Sequence, residues 1–265
     1  MLTRIITALI GIPILLYIII SGGIILKLSI IVTGLIGVYE IYNAFSKDYN
    51  PIKPLGYLAV IFISGASFFE SLPLELIIAI LVIVVLIMVV KAYPGHTIID
   101  ASLTIFGALY LGLMFPFISL VREMPMGEFF VWLIFISAWG TDTFAYFTGY
   151  FIGKNKLAPI LSPKKTIEGA IGGTIGGALL ALVYTWVYGR YFNGDAMQYL
   201  FSIPLMTAFA SVIAQLGDLS ASAIKRFFDV KDFGYILPGH GGVLDRFDSV
   251  LLTAPFIYTV LYLLF

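Results

Sequence analysis

Of 265 residues, 60% are hydrophobic and only 11% are charged, against roughly 25% charged in a typical soluble domain, and no stretch remains from which such a domain could be built. The 15 basic and 15 acidic residues cancel, so any attraction for anions must come from where charges sit rather than from their sum. The absence of cysteine excludes disulfides, thiolate catalysis and sulfur-ligated zinc.

In chain order, the apolar runs predict membrane helices at about 5–21, 28–45, 55–69, 74–90, 101–121, 129–152, 167–189, 203–222 and 249–265. Lipid offers the backbone no hydrogen-bond partner, and the ten-residue alternation of barrel strands is missing. The expected fold is therefore an all-α polytopic membrane protein, one transmembrane domain over 1–265. Within it, helices of about 1–125 act as scaffold and about 135–250 carries the chemistry. The first run follows Arg4 and is read as a retained helix, because Ser21-Gly22-Gly23 leads straight into further apolar sequence. The third run is the shortest, about 22 Å of helix.

With nine spans, 12 of the 15 Lys and Arg fall on the side of the N-terminus: Arg4, Lys47, Lys53, Lys91, Lys154, Lys156, Lys164, Lys165, Lys225, Arg226, Lys231 and Arg246. Lys27, Arg122 and Arg190 face the other side. The excess of positive charge predicts a cytoplasmic N-terminus and an external C-terminus. Removing the third span gives 10 against five, yet the loops 153–166 and 223–248 stay cytoplasmic in both counts. No internal repeat is visible. Gly169, Gly172, Gly173, Gly176 and Gly177 overlay two small-xxx-small patterns on the seventh span, which predicts close helix packing rather than a phosphate cradle.

Asp142, in Trp139-Gly140-Thr141-Asp142-Thr143, is expected about 15 Å deep in the sixth span. A carboxylate there costs about 3 kcal/mol or more and should face a polar cavity, unless it is a hydrogen-bonded packing residue. Asp218 lies near the cytoplasmic end of the eighth span, with Lys225-Arg226 seven residues on. After the turn-forming Pro238-Gly239-His240-Gly241-Gly242 come Asp245-Arg246-Phe247-Asp248, whose spacing puts both aspartates on one helix face. Crowded carboxylates repel unless a cation lies between them, so Asp218, Asp245 and Asp248 read as a Mg²⁺ site, with a solvated helix start as the plainer alternative. On the metal-site reading, Asp245→Asn or Asp248→Asn removes repulsion, so the metal-free fold is unchanged or more stable. Ser162-Pro163-Lys164-Lys165-Thr166 opens the seventh helix with Thr166 as its N-cap, and two lysines at a helix N-terminus attract phosphate; binding to anionic lipid heads is the alternative. His240 among glycines reads as a turn residue. Carboxylates for a divalent ion beside many cations suit phosphoryl chemistry on a polyphosphate. A cation transporter with intramembrane Asp142 and Asp218 is the rival from another class, but related halves and a midplane site are not evident.

The run Ser222-Ala-Ile-Lys225-Arg226-Phe-Phe-Asp-Val-Lys231-Asp232-Phe-Gly234-Tyr-Ile-Leu237-Pro238-Gly-His240-Gly241-Gly242-Val243-Leu-Asp245-Arg246-Phe247-Asp248 resembles the signature of the phosphatidate cytidylyltransferase (CDP-diacylglycerol synthase) family over all of its 27 residues. Asp142-Thr-x-Ala145-Tyr146-x-x-Gly149 and Ser162-Pro-Lys-Lys165-Thr166-x-Glu168-Gly169 are similar to further family segments, with Ile167 where tryptophan is expected. The resemblance is specific over about 135–250 and rests on hydropathy before that. It implies a membrane nucleotidyltransferase that makes CDP-diacylglycerol and pyrophosphate from CTP and phosphatidate with Mg²⁺ in phospholipid biosynthesis. It also implies a homodimer in the cytoplasmic membrane of a prokaryote, with no nucleic-acid partner. By the same resemblance, Asp218, Asp245 and Asp248 handle metal and triphosphate. Lys164, Lys165, Lys225 and Arg226 hold phosphates, Asp142 supports the cavity or a second cation, and Ser162, Thr166, His240 and Arg246 complete the substrate-binding set. A CDP-alcohol phosphotransferase fits less well, because its aspartate-rich segment is not in this chain.

Overall fold

Helices form where the apolar runs predict them. The computed structural model describes residues 2–66 and 73–264. The chain runs through α1 (Leu2–Ser21), α2 (Gly23–Phe45), α3 (Lys53–Gly65), α4 (Leu74–Ala92), α5 (Ile98–Met114), α6 (Phe117–Glu123), α7 (Gly127–Phe135) and α8 (Thr141–Ile152). Strands β1 (Lys156–Ala158) and β2 (Ser162–Thr166) follow, then α9 (Ile167–Tyr191), α10 (Ser202–Phe227) and α11 (Leu244–Leu264). Seven described segments are long and apolar enough to cross a membrane: α2, α4, Ile98–Glu123, Gly127–Ile152, α9, α10 and α11. Leu9–Ser21 within α1 and Lys53–Gly65 are apolar but shorter. The protein is thus helical and polytopic; residues 67–69, the end of the expected third span, lie outside the described residues.

Several boundaries differ from expectation for local reasons. The fifth run is two helices, because Pro116 cannot continue the backbone ladder of α5. The sixth is interrupted by a π-helical turn at Ile136–Gly140, which ends two residues before Asp142, and such wide turns recur at functional positions. α10 continues to Phe227, so Lys225 and Arg226 end a helix whose C-terminal dipole favours cations. α11 begins at Leu244 and takes Asp245 into its first turn. The connection 153–166, expected as a loop, forms an antiparallel hairpin with Lys156 paired to Thr166 and Ala158 to Ser162.

Internal packing divides the chain into two units, Met1–Ser119 with Lys225–Phe247 and Leu120–Ile224 with Asp248–Phe265. In the first, α2, α3 and α5 pack around Tyr42, whose hydroxyl donates to the Thr104 carbonyl at 2.5 Å. Thr97 and Asp100 form a capping box at the start of α5, and Asp100 also accepts the amide of Asn50 at 2.6 Å, fixing the turn after α2. In the second unit, α8 packs along α9. A Cβ at Gly173 would come within 2.8 Å of the Thr141 carbonyl and of Ala145. Gly172 and Gly176 likewise leave room for Thr148 and Phe144. The glycine pattern of α9 therefore serves close helix approach, as expected from its spacing.

Candidate active site

Four elements of the second unit enclose a cavity of about 550 Å³. α8 contributes Asp142, Tyr146 and Tyr150; the hairpin contributes Lys156, Lys164 and Lys165; Thr166 and Gly169 open α9; α10 contributes Gln215 and Asp218. Thr166 is the N-cap of α9, its hydroxyl accepting the Gly169 amide at 3.1 Å, so the local signal read in the sequence is present. Glu168 accepts the amides of Lys154 and Asn155 at 3.0 and 3.2 Å and the Asn155 side-chain amide at 2.7 Å, tying the start of the hairpin to α9. Ser162 begins β2 outside the cavity lining.

Within the cavity Lys165 forms an ion pair with Asp218, and Ser222 donates to Asp218 at 3.5 Å. Ser211, Gln215, Asp218 and Ser222 recur at helical spacing, so they form a polar stripe along one face of α10. Gln215 donates to Thr174 Oγ1 at 3.1 Å and to the Ala170 carbonyl at 3.3 Å. α11 approaches α10 closely at Gly217, where a Cβ would lie 2.8 Å from the Asp248 carbonyl oxygen. Next to that crossing, Ser249 donates its hydroxyl to Asp142 at 3.4 Å and its amide to Asp248 Oδ1 at 2.7 Å. Asp248 is buried. Asp142, Asp218 and Asp248 thus belong to neighbouring parts of one helix arrangement, with Lys156, Lys164 and Lys165 on the hairpin that lines the same cavity.

The first unit holds the rest of the signature. Lys225 and Asp245 form a buried ion pair at 2.8 Å, and Lys225 also lies 5.2 Å from the Phe233 ring centroid. The other Asp245 oxygen accepts the amides of Phe233 and Gly242 at 2.8 and 3.0 Å. One oxygen of Asp245 thus pairs with Lys225 at the end of α10, and the other holds two amides of the loop ahead of α11. His240 sits in a turn closed by its amide to the Leu237 carbonyl at 2.9 Å, with its Nδ1 buried and unpartnered among the described residues. Arg226 and Arg246 are exposed. Lys47 donates to Asp229 Oδ2 at 2.8 Å, and that hydrogen bond with the lysine charge holds the Asp229 carboxyl below its usual range.

Lys156, Gln215, Ser249 and Glu40 do not emerge as site residues from the sequence reading. Lys156 looks like ordinary cytoplasmic charge until the hairpin turns it into the cavity. The one sequence signal Gln215 carries is its three-residue spacing from Asp218. Glu40 is one acid inside the apolar helix α2, and an ionisable group in a membrane span is itself a signal of function.

Among the described residues no three Asp, Glu or His side chains are gathered into a metal cluster. Two carboxylates in one cavity, beside lysines, nevertheless fit Mg²⁺, which commonly takes one or two protein carboxylates and completes its shell with water and substrate phosphate. The helices define a polytopic membrane protein whose second unit holds a cavity lined by two carboxylates and three lysines. The profile of the Cytidylyltransferase family matches residues 2–264, and the chain belongs to that family. It is 32% identical to the phosphatidate cytidylyltransferase of Bacillus subtilis (strain 168), with 98% of this chain and 97% of that protein covered. Proteins of the same description from Staphylococcus epidermidis (strain ATCC 12228 / FDA PCI 1200) and Staphylococcus aureus (strain COL) are 35% and 34% identical, each over 98% of this chain and 99% of the relative.

Proposed function

We propose that this protein transfers the cytidylyl group of CTP to phosphatidate, releasing pyrophosphate and forming CDP-diacylglycerol for phospholipid synthesis. The observation that carries this reading is the single cavity in which Asp142 and Asp218 face Lys156, Lys164 and Lys165, in a chain similar along its length to phosphatidate cytidylyltransferases.

The nucleophile is a phosphomonoester whose second pKa is about 6, so it is largely dianionic near neutral pH and needs no catalytic base. One of its oxygens forms a bond to the α-phosphorus of CTP as the bond to the β-phosphate bridging oxygen breaks, and pyrophosphate departs with that electron pair. The protein's task is to hold two anions in line and offset their repulsion. Lys156, Lys164 and Lys165 would hold phosphates, and Asp142 and Asp218 would hold Mg²⁺, with Asp248 nearby on α11. When bound, that ion would supply positive charge that offsets the negative charge of the reacting phosphates. Asp245 joins Lys225 to the loop ahead of α11. Purified protein in detergent with CTP, phosphatidate and Mg²⁺ should release pyrophosphate in equal amount to CDP-diacylglycerol; the absence of both products would reject the reading.

Replacing Lys164 and Lys165 together with glutamine should raise KM for CTP by about 10–100-fold, the loss of two charge-assisted phosphate contacts at 1.5–3 kcal/mol each being partly offset by Lys156. Steady-state kinetics checks this, and an unchanged KM would assign both to lipid-head attraction.

The proposal includes nine crossings, a cytoplasmic N-terminus and active site, an external C-terminus, and assembly as a homodimer. The chain has no native cysteine, so single reporters need no prior substitutions. Tyr235→Cys and Leu264→Cys should label from opposite sides of sealed vesicles; labelling from one side would overturn the nine-crossing arrangement.

A further inference from the structure

Glu40 lies toward the C-terminal end of the buried face of α2 in the first unit and is 1% exposed. Its two oxygens accept consecutive backbone amides, Val243 at 2.9 Å and Leu244 at 2.8 Å. Those N–H groups belong to the start of α11, where the first amides have no partner within the helix. Such amides are ordinarily capped by a side chain just before the helix. The residues there, Gly241, Gly242 and Val243, have none to offer. Asp245 takes the Gly242 amide, so two carboxylates divide three successive amides, one from the helix itself and one from a residue about 200 positions earlier.

The glycines of this loop have two distinct causes. Gly239 and Gly241 have φ of 78° and 85°, backbone that L residues rarely adopt. Gly234 and Gly242 are not of that kind; at each, an added Cβ would collide with the Glu40 carboxyl. Their lack of a side chain is the space that Glu40 fills. Two signature glycines are thereby explained by a residue outside the signature.

We propose that Glu40 is a positioning residue for the transferase reaction: it caps α11 from α2 and so holds the loop 232–244 and the Lys225–Asp245 pair in working register. The inference rests on the proposed transferase activity only for its kinetic readout. Charge at a helix N-terminus strengthens the two hydrogen bonds. A neutral amide of the same shape supplies one acceptor and turns an N–H donor toward the second amide, leaving it unsatisfied.

The test compares wild type, Glu40→Gln and Glu40→Asp in detergent by hydrogen exchange, thermal unfolding and CTP kinetics. Glu40→Gln should raise amide exchange in 232–245 at least tenfold with α4 unaffected, and should lower kcat at least tenfold while KM for CTP stays within threefold. Glu40→Asp keeps the charge and should recover part of kcat. Local exchange unchanged in Glu40→Gln overturns the cap whether or not the protein is a transferase. Raised exchange with kcat within twofold of wild type overturns the positioning role. Failure of both variants to fold makes Glu40 a folding determinant and likewise rejects it. Wild-type protein without transferase activity would reject the functional reading while leaving the exchange result to judge the cap.

Discussion

Asp218→Asn is expected to lower the rate of CTP-dependent pyrophosphate release by on the order of 10²–10³, the scale seen when one preorganised electrostatic group is removed from a reaction site. The fold should survive. Asp218 and its partner Lys165 are both about a quarter exposed at the cavity wall, and ion pairs of that kind contribute roughly 0–1 kcal/mol after solvent screening. The substitution keeps shape and size, and Ser222 remains one turn away to hydrogen-bond the amide. Loss of rate with an unchanged unfolding midpoint is therefore the signature of a carboxylate used in the reaction. Release kinetics and thermal unfolding on the same sample read both quantities, and a variant with more than half the wild-type rate would remove Asp218 from the reaction. Ser222→Ala serves as a control, because it deletes a 3.5 Å contact but no charge and should change the rate by less than tenfold.

Where a residue's role depends on its own segment, the sequence discloses it. Thr166 is legible as an N-cap because a hydroxyl before a helical run has one local use, and the glycine spacing of α9 is legible because it repeats along one face. The hairpin 156–166 is not legible, since Lys-Leu-Ala and Ser-Pro-Lys-Lys-Thr carry no apolar alternation and Pro163 argues against a strand. Its importance is direct, because the hairpin is what brings three lysines to the cavity. Glu40 is hidden by averaging: one acid in the 23 residues of α2 hardly alters mean hydropathy. Its partners lie about 200 residues away. Asp142 and Asp218 could be proposed as cavity residues from the cost of burying them, but nothing local tells which neighbour each carboxylate meets.

Asp245 has partners that its spacing from Asp248 does not disclose, and they reverse the sign expected for a stability change. A carboxylate crowded against others, as its spacing from Asp248 suggests, gains stability in the metal-free state when neutralised. In the structure Asp245 has a 2% exposed side chain, Lys225 as a 2.8 Å partner and two loop amides as donors. Asp245→Asn then leaves the largely buried Lys225 charge without its counter-ion, a class of change that costs up to about 3–5 kcal/mol. The expected result is a marked fall in the unfolding midpoint without any substrate present, with faster amide exchange in 232–243. Adding Lys225→Met should recover part of the loss, because removing both charges of a buried pair is far less costly than removing one. The recovery should be incomplete, since asparagine offers one acceptor where the carboxylate served two amides and a lysine. A midpoint equal to or above wild type for Asp245→Asn, with no effect of Lys225→Met in that background, would show that repulsion between crowded carboxylates, not the pair with Lys225, governs Asp245.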